Sequence, residues 1–307
     1  MWKLLSGFFL GWTLGANDSA NVFGTGVVTG SIKYRTAIWL TSIFVLLGSF
    51  IEGTKCMNAL GELSSLLPIE AFFCTLAAAV SMALLTYLAL PASASQAIVG
   101  GVVGIGIATG IADIHPIFKF LFCWVLTPLS ALLFAILLHK LLGYAVDQAI
   151  PSLQHRNLFY RCGILLAGCY GAYCLGGNNV ANVTGVYVGA GILSETSGSL
   201  IGGVSIALGV LTYSRKVMNT VGKGIVPLDP FSALVVVLAQ ALTLHLFTQV
   251  GVPVSSTQAV VGAVVGIGLI GDTRTINSTT LLKISVGWVI TPALAGLVAF
   301  VLSVSCI

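Results

Sequence analysis

Asp18 is the one acidic side chain of this sequence that lies deep inside an apolar run. Glu52, Glu62, Glu70, Asp113, Asp147, Glu195, Asp229 and Asp272 fall in predicted loops or at the ends of such runs. A carboxylate in an apolar run is costly unless a partner or ligand compensates it, so Asp18 marks a site for a cation or a proton. The structural alternative is an Asp that caps a broken helix. Asp18 belongs to GANDSAN at 15–21, and a close copy, GGNNVAN, returns at 176–182. Of the sixteen positions 15–30, eight recur 161 positions later. Asn17 and Asn21 match Asn178 and Asn182, whereas Asp18 is answered by Asn179, which cannot ionise. Asn competes for backbone hydrogen bonds, and with Gly at 15, 24, 176, 177 and 185 it predicts a local break in each helix. A break exposes N–H groups that favour an anion, and carbonyls that, with Asp18, favour a cation. Helix-to-helix bonding by the same amides is the alternative.

A second motif is duplicated in the same order. PASASQ at 91–96 returns as PVSSTQ at 253–258, and positions 91–106 match 253–268 at eleven of sixteen places. Ser93, Ser95 and Gln96 thus answer Ser255, Ser256, Thr257 and Gln258. Pro suits a first helical turn, and the hydroxyls can cap that turn or donate to a ligand. GVVGIG at 101–106 is read as helix packing, because no strand and no downstream acid accompany it. No Lys or Arg lies in the middle of an apolar run. An anion would therefore be held by Asn amides, hydroxyls and helix N–H groups, which bind reversibly where a buried ion pair would hold too long.

The elements that must position these motifs follow from composition. The chain has 307 residues, 57% hydrophobic and 7% charged, with mean hydropathy +1.05. A soluble domain carries about 25% charged residues, so an all-α polytopic membrane protein is expected. Apolar runs fall at 4–30, 36–54, 71–90, 95–112 and 117–143, then at 163–191, 197–213, 231–250, 257–272 and 281–305. The short runs 95–112 and 257–272 follow the Pro-Ser motifs and are candidates for half-helices or re-entrant segments. Lys55, Met57, Asn58 and Gly61 recur as Lys216, Met218, Asn219 and Gly222, and Trp124, Thr127 and Pro128 as Trp288, Thr291 and Pro292. The reading is a first transmembrane repeat at 1–143, a cytoplasmic connecting segment at 144–161 and a second repeat at 162–307. Five crossings per half turn the second copy upside down, an inverted-topology repeat with broken or re-entrant helices. If every run crosses once, one side collects Lys33, Arg35, Lys140, Arg156, Arg161, Arg215, Lys216, Lys223, Arg274 and Lys283, and the other only Lys3, Lys55 and Lys119. That bias places both termini outside the cytoplasm.

Several classes are disfavoured. The net charge of +4 comes from scattered residues, which speaks for topology and against a nucleic-acid partner. The seven Cys form no CxxC pair and read as buried thiols. His115, His139, His155 and His245 make no ligand-spaced cluster, and no nucleophile–base pair is visible, so no enzyme is expected. The first residues faintly resemble a signal peptide, but cleavage would remove one motif copy, so retention is expected.

At these motifs the chain resembles the inorganic phosphate transporter (PiT) family of ion-coupled phosphate permeases, over nearly its whole length. That family carries a duplicated GANDxAN-type signature and a Pro-x-Ser motif late in each half. The resemblance implies an inverted-repeat fold in the cell membrane, a homodimer, and a phosphate site between the halves. It assigns Asn17, Asn21, Ser93, Ser95, Gln96, Asn178, Asn179, Asn182, Ser255, Ser256, Thr257 and Gln258 to the substrate. It assigns Asp18, Asn21 and Asn182 to the coupling ion, sodium or a proton, with Asp18 a candidate sodium ligand and no other cofactor. The chain departs from the family pattern at Asn179, where an acid is usual. It departs also at Val45 and about Val237, in place of Glu, at Leu175, in place of His, and at Gln96 and Gln258, in place of His. Import of phosphate by symport is the expected function; a permease for another tetrahedral oxyanion such as sulfate is the alternative, and an anion channel a weaker one.

Overall fold

The computed structural model describes residues 2–63, 66–88, 92–110, 115–215, 218, 228–271 and 277–306, except the side chains of 62, 115 and 116. Pro91, Asp113, Lys216, Asn219, Gly222, Lys223, Asp272 and Arg274, all named above, lie outside the described residues, as do the side chains of Glu62 and His115. Among the described residues the chain is helical and forms no strand. The first half holds α1 (Leu4–Val28), α2 (Tyr34–Glu52), α3 (Met57–Leu63), α4 (Pro68–Tyr87), α5 (Ala94–Thr109) and α6 (His115–Ala149). The second holds α7 (Leu153–Gly189), α8 (Glu195–Tyr213), α9 (Pro230–Val250), α10 (Ser256–Ile270) and α11 (Ser278–Cys306). Every apolar run holds one of these helices. A single 3-10 turn, Gly53–Cys56, links α2 to the short α3.

Among the described residues, seven helical stretches are long and apolar enough to cross a membrane: Tyr34–Gly61, Pro68–Tyr87, Ile117–Ala149, Leu153–Gly189, Glu195–Tyr213, Pro230–Val250 and Ser278–Cys306. The chain is thus a multi-span membrane protein. Helix α1 has the length, at 25 residues, but carries the polar island. At 16 and 15 residues, α5 and α10 reach only about 24 and 22 Å at 1.5 Å per residue, short of the ~30 Å hydrocarbon core. The 144–161 segment is mostly helical, since α6 runs to Ala149 and α7 starts at Leu153. Arg156 closes that bend, pairing with Asp147 at 2.7 Å and donating to the Ile150 carbonyl at 2.6 Å.

The expected breaks at the two Asn islands do not occur. Both α1 and α7 run through their islands without interruption. An Asn inside a helix costs at most about 0.7 kcal/mol against Ala. An opened turn away from water would leave several backbone groups unpaired, at several kcal/mol each. The helix therefore wins, provided that the Asn side chains find partners elsewhere. The chain is interrupted instead at the Pro-Ser motifs, between α4 and α5 and between α9 and α10. Gly251 there has φ +77°, a left-handed turn that suits Gly.

The island glycines allow close approach. A methyl on Gly15 of α1 would strike the Ile206 carbonyl of α8, and one on Gly209 of α8 would strike the Trp12 carbonyl of α1. Likewise Gly176 of α7 lies against the Val45 carbonyl of α2, and Gly48 of α2 against the Tyr173 carbonyl of α7. Each of these four positions maps onto its counterpart by a shift of 161. Farther on, Gly100 of α5 abuts the Pro292 carbonyl of α11, and Gly262 of α10 abuts the Pro128 carbonyl of α6. So α1 packs on α8, α7 on α2, α5 on α11 and α10 on α6: each half is completed by helices of the other. The two internal prolines share a device as well. Thr127 and Thr291, just before Pro128 and Pro292, each return a hydroxyl bond of 2.6 Å to the carbonyl four residues back.

Gly48→Val and Gly209→Val should each prevent recovery of monodisperse protein or lower its melting temperature strongly, because backbone lies where the new side chain must go. Gly24→Ala, where a methyl has 3.6 Å to its nearest neighbour, should be close to neutral in the same melting assay.

Candidate functional site

The two interruptions are held by the two islands in the same way. Asn17 of α1 donates to Thr86 Oγ1 at 3.0 Å and accepts from the Ala92 N–H at 3.4 Å. Asn178 of α7 donates to Thr248 Oγ1 at 3.0 Å and to the Leu244 and Val252 carbonyls at 3.4 Å, and accepts from the Val254 N–H at 2.9 Å. Each amide thus ties the last turn of one helix to the extended residues before the next. Beyond them Ser93 and Ser255 cap α5 and α10, accepting from the N–H groups of Gln96 at 3.3 Å and Gln258 at 3.2 Å. The first-turn N–H groups of both short helices have no intrahelical acceptor, which gives each helix a positive end.

The halves meet at these ends. Thr257 at the start of α10 donates to the Ala92 carbonyl, just before α5, at 2.9 Å. Asp18 Oδ2 accepts from Ser256 Oγ at 2.7 Å. Asn21, one turn along α1, donates to Ser256 Oγ at 3.1 Å and to Thr257 Oγ1 at 3.2 Å. The first island therefore reaches across to the second Pro-Ser motif. In the second island Asn182 donates to Asn179 Oδ1 at 3.0 Å. Ser93 and Ser95 lie 3.2 Å apart, hydroxyl to hydroxyl.

All thirteen residues expected at the site are buried, none more than 4% exposed. Several polar atoms here have no protein partner: Asp18 Oδ1, Asn179 Nδ2, Asn182 Oδ1, Gln96 Oε1 and Gln258 Oε1. Buried polar atoms are normally satisfied, and rotation of an amide exchanges its donor and acceptor ends. The set can face either hydrogen-bond donors or a cation. Of the thirteen, Asn17 and Asn178 are committed to the chain interruptions and Ser93 and Ser255 to capping. Asp18, Asn21, Ser256 and Thr257 form one bonded cluster, while Asn179 and Asn182 form another.

Three features escaped the sequence. Thr86 and Thr248 complete the Asn clamps; both stand five residues before the motif proline, a duplicated register that would have revealed them. Glu52 was placed at the end of an apolar run, yet its side chain is only 12% exposed. Its carboxylate meets Lys55 Nζ at 3.0 Å, Gln249 Nε2 at 3.2 Å and His245 Nδ1 at 3.7 Å, and lies beside Gly177 of the second island. The repeat counterpart of Glu52 is Tyr213, so duplication carried no signal for it. Gln240 of α9 is fully buried with neither end of its amide bonded, and its place in the repeat is taken by Ala78.

The profile of the phosphate transporter family matches residues 14–299. A candidate phosphate permease of Methanocaldococcus jannaschii is 28% identical over 301 residues, covering 98% of this chain and 96% of that protein. A sulfate permease of Bacillus subtilis is 29% identical over 310 residues, covering 97% and 86%. The solved structure of a sodium-dependent phosphate transporter superposes with TM-score 0.81 at 22% identity, covering 98% of this chain and 99% of the other, and so has the same fold.

Asn17→Ala and Asn178→Ala should each lower thermal stability by about 1–3 kcal/mol, the cost of orphaning buried backbone groups. Asn179→Ala, which removes only the acceptor of the Asn182 amide, should lower melting less than either and weaken anion binding. Unchanged melting of the first two, with affinity lost, would place those amides on the ligand and not on the chain.

Proposed function

The chain belongs to the phosphate transporter family, and we propose that it is a secondary active symporter that imports inorganic phosphate across the cytoplasmic membrane. One observation carries the proposal. A buried carboxylate of the first half, Asp18, is bonded to a hydroxyl on the first turn of α10 in the second half. No Lys or Arg touches that carboxylate among the described residues. A positive helix end suits an oxyanion, and neutral hydroxyl and amide donors hold it without a permanent ion pair. Phosphate at neutral pH still carries a proton, so its site needs an acceptor among the donors, and Asp18 Oδ1 has no protein partner.

The same oxygen is the candidate ligand for a coupling ion. Sodium prefers oxygen donors, and Asp18, Ser256, Thr257 and the Ala92 carbonyl supply four linked groups. Either a sodium or a proton gradient drives uptake, and Asp18 takes the ion in either case. Reciprocal packing supports two inverted repeats that rock about the shared site in alternating access, with both termini outside the cytoplasm. A homodimer completes the assembly.

Sulfate is the second reading. It is favoured by Asn179, which leaves the second island without charge, and by likeness to a sulfate permease. Sulfate has no proton to donate and would be repelled by Asp18 unless a cation neutralises it.

The deciding experiment is uptake by purified protein in liposomes, with labelled phosphate and labelled sulfate each tested under a sodium or a proton gradient alone. Saturable phosphate uptake under one gradient is expected. Sulfate uptake that phosphate cannot compete would replace the first reading with the second, and ohmic, non-saturating current would mean a channel. Asp18→Asn should abolish coupled uptake while the protein is still made and inserted; transport at the unmodified rate would remove Asp18 from the mechanism.

A further inference from the structure

Lys33 and Arg161 line one groove at the end of the molecule where α1 turns into α2 and α7 begins. The groove has a volume of about 460 Å³. Ser31 and Thr36 add hydroxyls to the same wall, and Ile32, Leu165 and Leu166 supply the apolar part. None of these residues belongs to the island cluster. Their repeat counterparts remove the charge: 161 positions after Lys33 stands Ser194, and after Ser31 stands Ile192. The groove is therefore no part of the duplicated machinery.

Its shape is built in. Gly30, at φ +70°, turns the chain back. The Ile32 N–H then bonds the Gly26 carbonyl at 3.1 Å, and the Ile32 side chain is buried close to Gly26. Lys33 is thereby held beside the first turns of α7.

Among the described residues the two cations have no counter-ion. The ion pairs among the described residues join Lys55 to Glu52, Arg156 to Asp147 and His245 to Glu52, and neither Lys33 nor Arg161 has a carboxylate within ion-pair distance. Two positive charges facing one cavity repel each other until an anion enters. The hydroxyls suit phosphate oxygens, and Arg offers a planar fork to the same group. The apolar wall narrows the choice. Leu165 and Leu166 follow Arg161 by four and five positions, about one helical turn, and Leu166 is 68% exposed on the lipid-facing length of α7. A free anion gains nothing from such a wall, whereas a lipid places its headgroup on the cations and its acyl chain along the leucines.

We propose that this groove binds an anionic phospholipid, with the headgroup phosphate between Lys33 and Arg161 and an acyl chain along Leu165 and Leu166. The charge distribution expected from the sequence puts the groove at the cytoplasmic leaflet, where anionic lipids attract basic residues.

The test uses the full chain in detergent, titrated with phosphatidylglycerol, with phosphatidylcholine of the same chains, or with inorganic phosphate. Retained lipid is read by native mass spectrometry and stabilisation by melting. Phosphatidylglycerol should remain bound and raise the melting temperature, and phosphatidylcholine should not. The K33A/R161A double variant should bind phosphatidylglycerol roughly thirtyfold more weakly, because each basic residue contributes a factor of about five. The charge-preserving K33R/R161K variant controls for folding and should keep most of the binding. Equal phosphatidylglycerol binding by unmodified protein and K33A/R161A would overturn the proposal. So would stabilisation by inorganic phosphate that depends on Lys33 and Arg161 while phosphatidylglycerol has no effect.

Discussion

Ala92 and Ser93 before α5, and Val252, Val254 and Ser255 before α10, are non-helical residues buried in the protein, and the rest of the structure answers to that constraint. An interrupted helix in a membrane leaves N–H and C=O groups that only protein can satisfy. A primary amide has two donors and an acceptor on one short arm, which is what each interruption needs. Asn17 and Asn178 deliver it from the neighbouring long helices, whose own geometry stays intact. With the extended residues fixed, the first turns of α5 and α10 face the islands. Glycine at the helix crossings then lets α1 and α7 come close enough for those short arms to reach.

The duplication is a scaffold on which one copy has been made different. Asp18 is bonded to Ser256. In the other copy Asn179 stands for Asp18, and the place of Ser256 is taken by Ala94. Acid and hydroxyl donor are present together in one copy and missing together in the other. Without a donor across from it, the second island turns inward, Asn182 bonding Asn179. The duplicated frame thus carries a charge at Asp18 alone, with the uncharged Asn179 at the matching position.

Much of this could be read from the sequence, and the misses have physical causes. Ten apolar runs gave the helices, because a residue excluded from water by both faces of a helix must be apolar wherever the helix lies. The duplicated motifs named the islands and the Pro-Ser turns, and Asp18, Asn21, Ser256 and Thr257 do meet. The position of the break was misjudged. Asn and Gly have low helix propensity, but propensity is a matter of tenths of a kcal/mol, and the partners that decide the outcome sit on other helices. Pro at 91 and 253 carried the better signal, since proline withdraws an N–H donor. Partner choice was illegible altogether: periodicity tells which face of α1 is buried, but nothing in it says that the face belongs against α8. Glu52, whose partners His245 and Gln249 come from a distant helix, was hidden for the same reason.

The exchange of helices between halves also sets a timetable. Some 167 residues separate the end of α1 at Val28 from the start of α8 at Glu195. At a synthesis rate of roughly 5–20 residues per second, α1 waits on the order of 10–30 seconds for the surface that its glycines fit. Through that interval the bare backbone at Gly15 and the carboxyl of Asp18 are in the bilayer without their partners. A chain halted in the second half is a fragment whose polar, glycine-lined α1 face lacks the α8 surface it packs on. The same interlocking that completes the fold leaves the first half without its packing partners until the second is made.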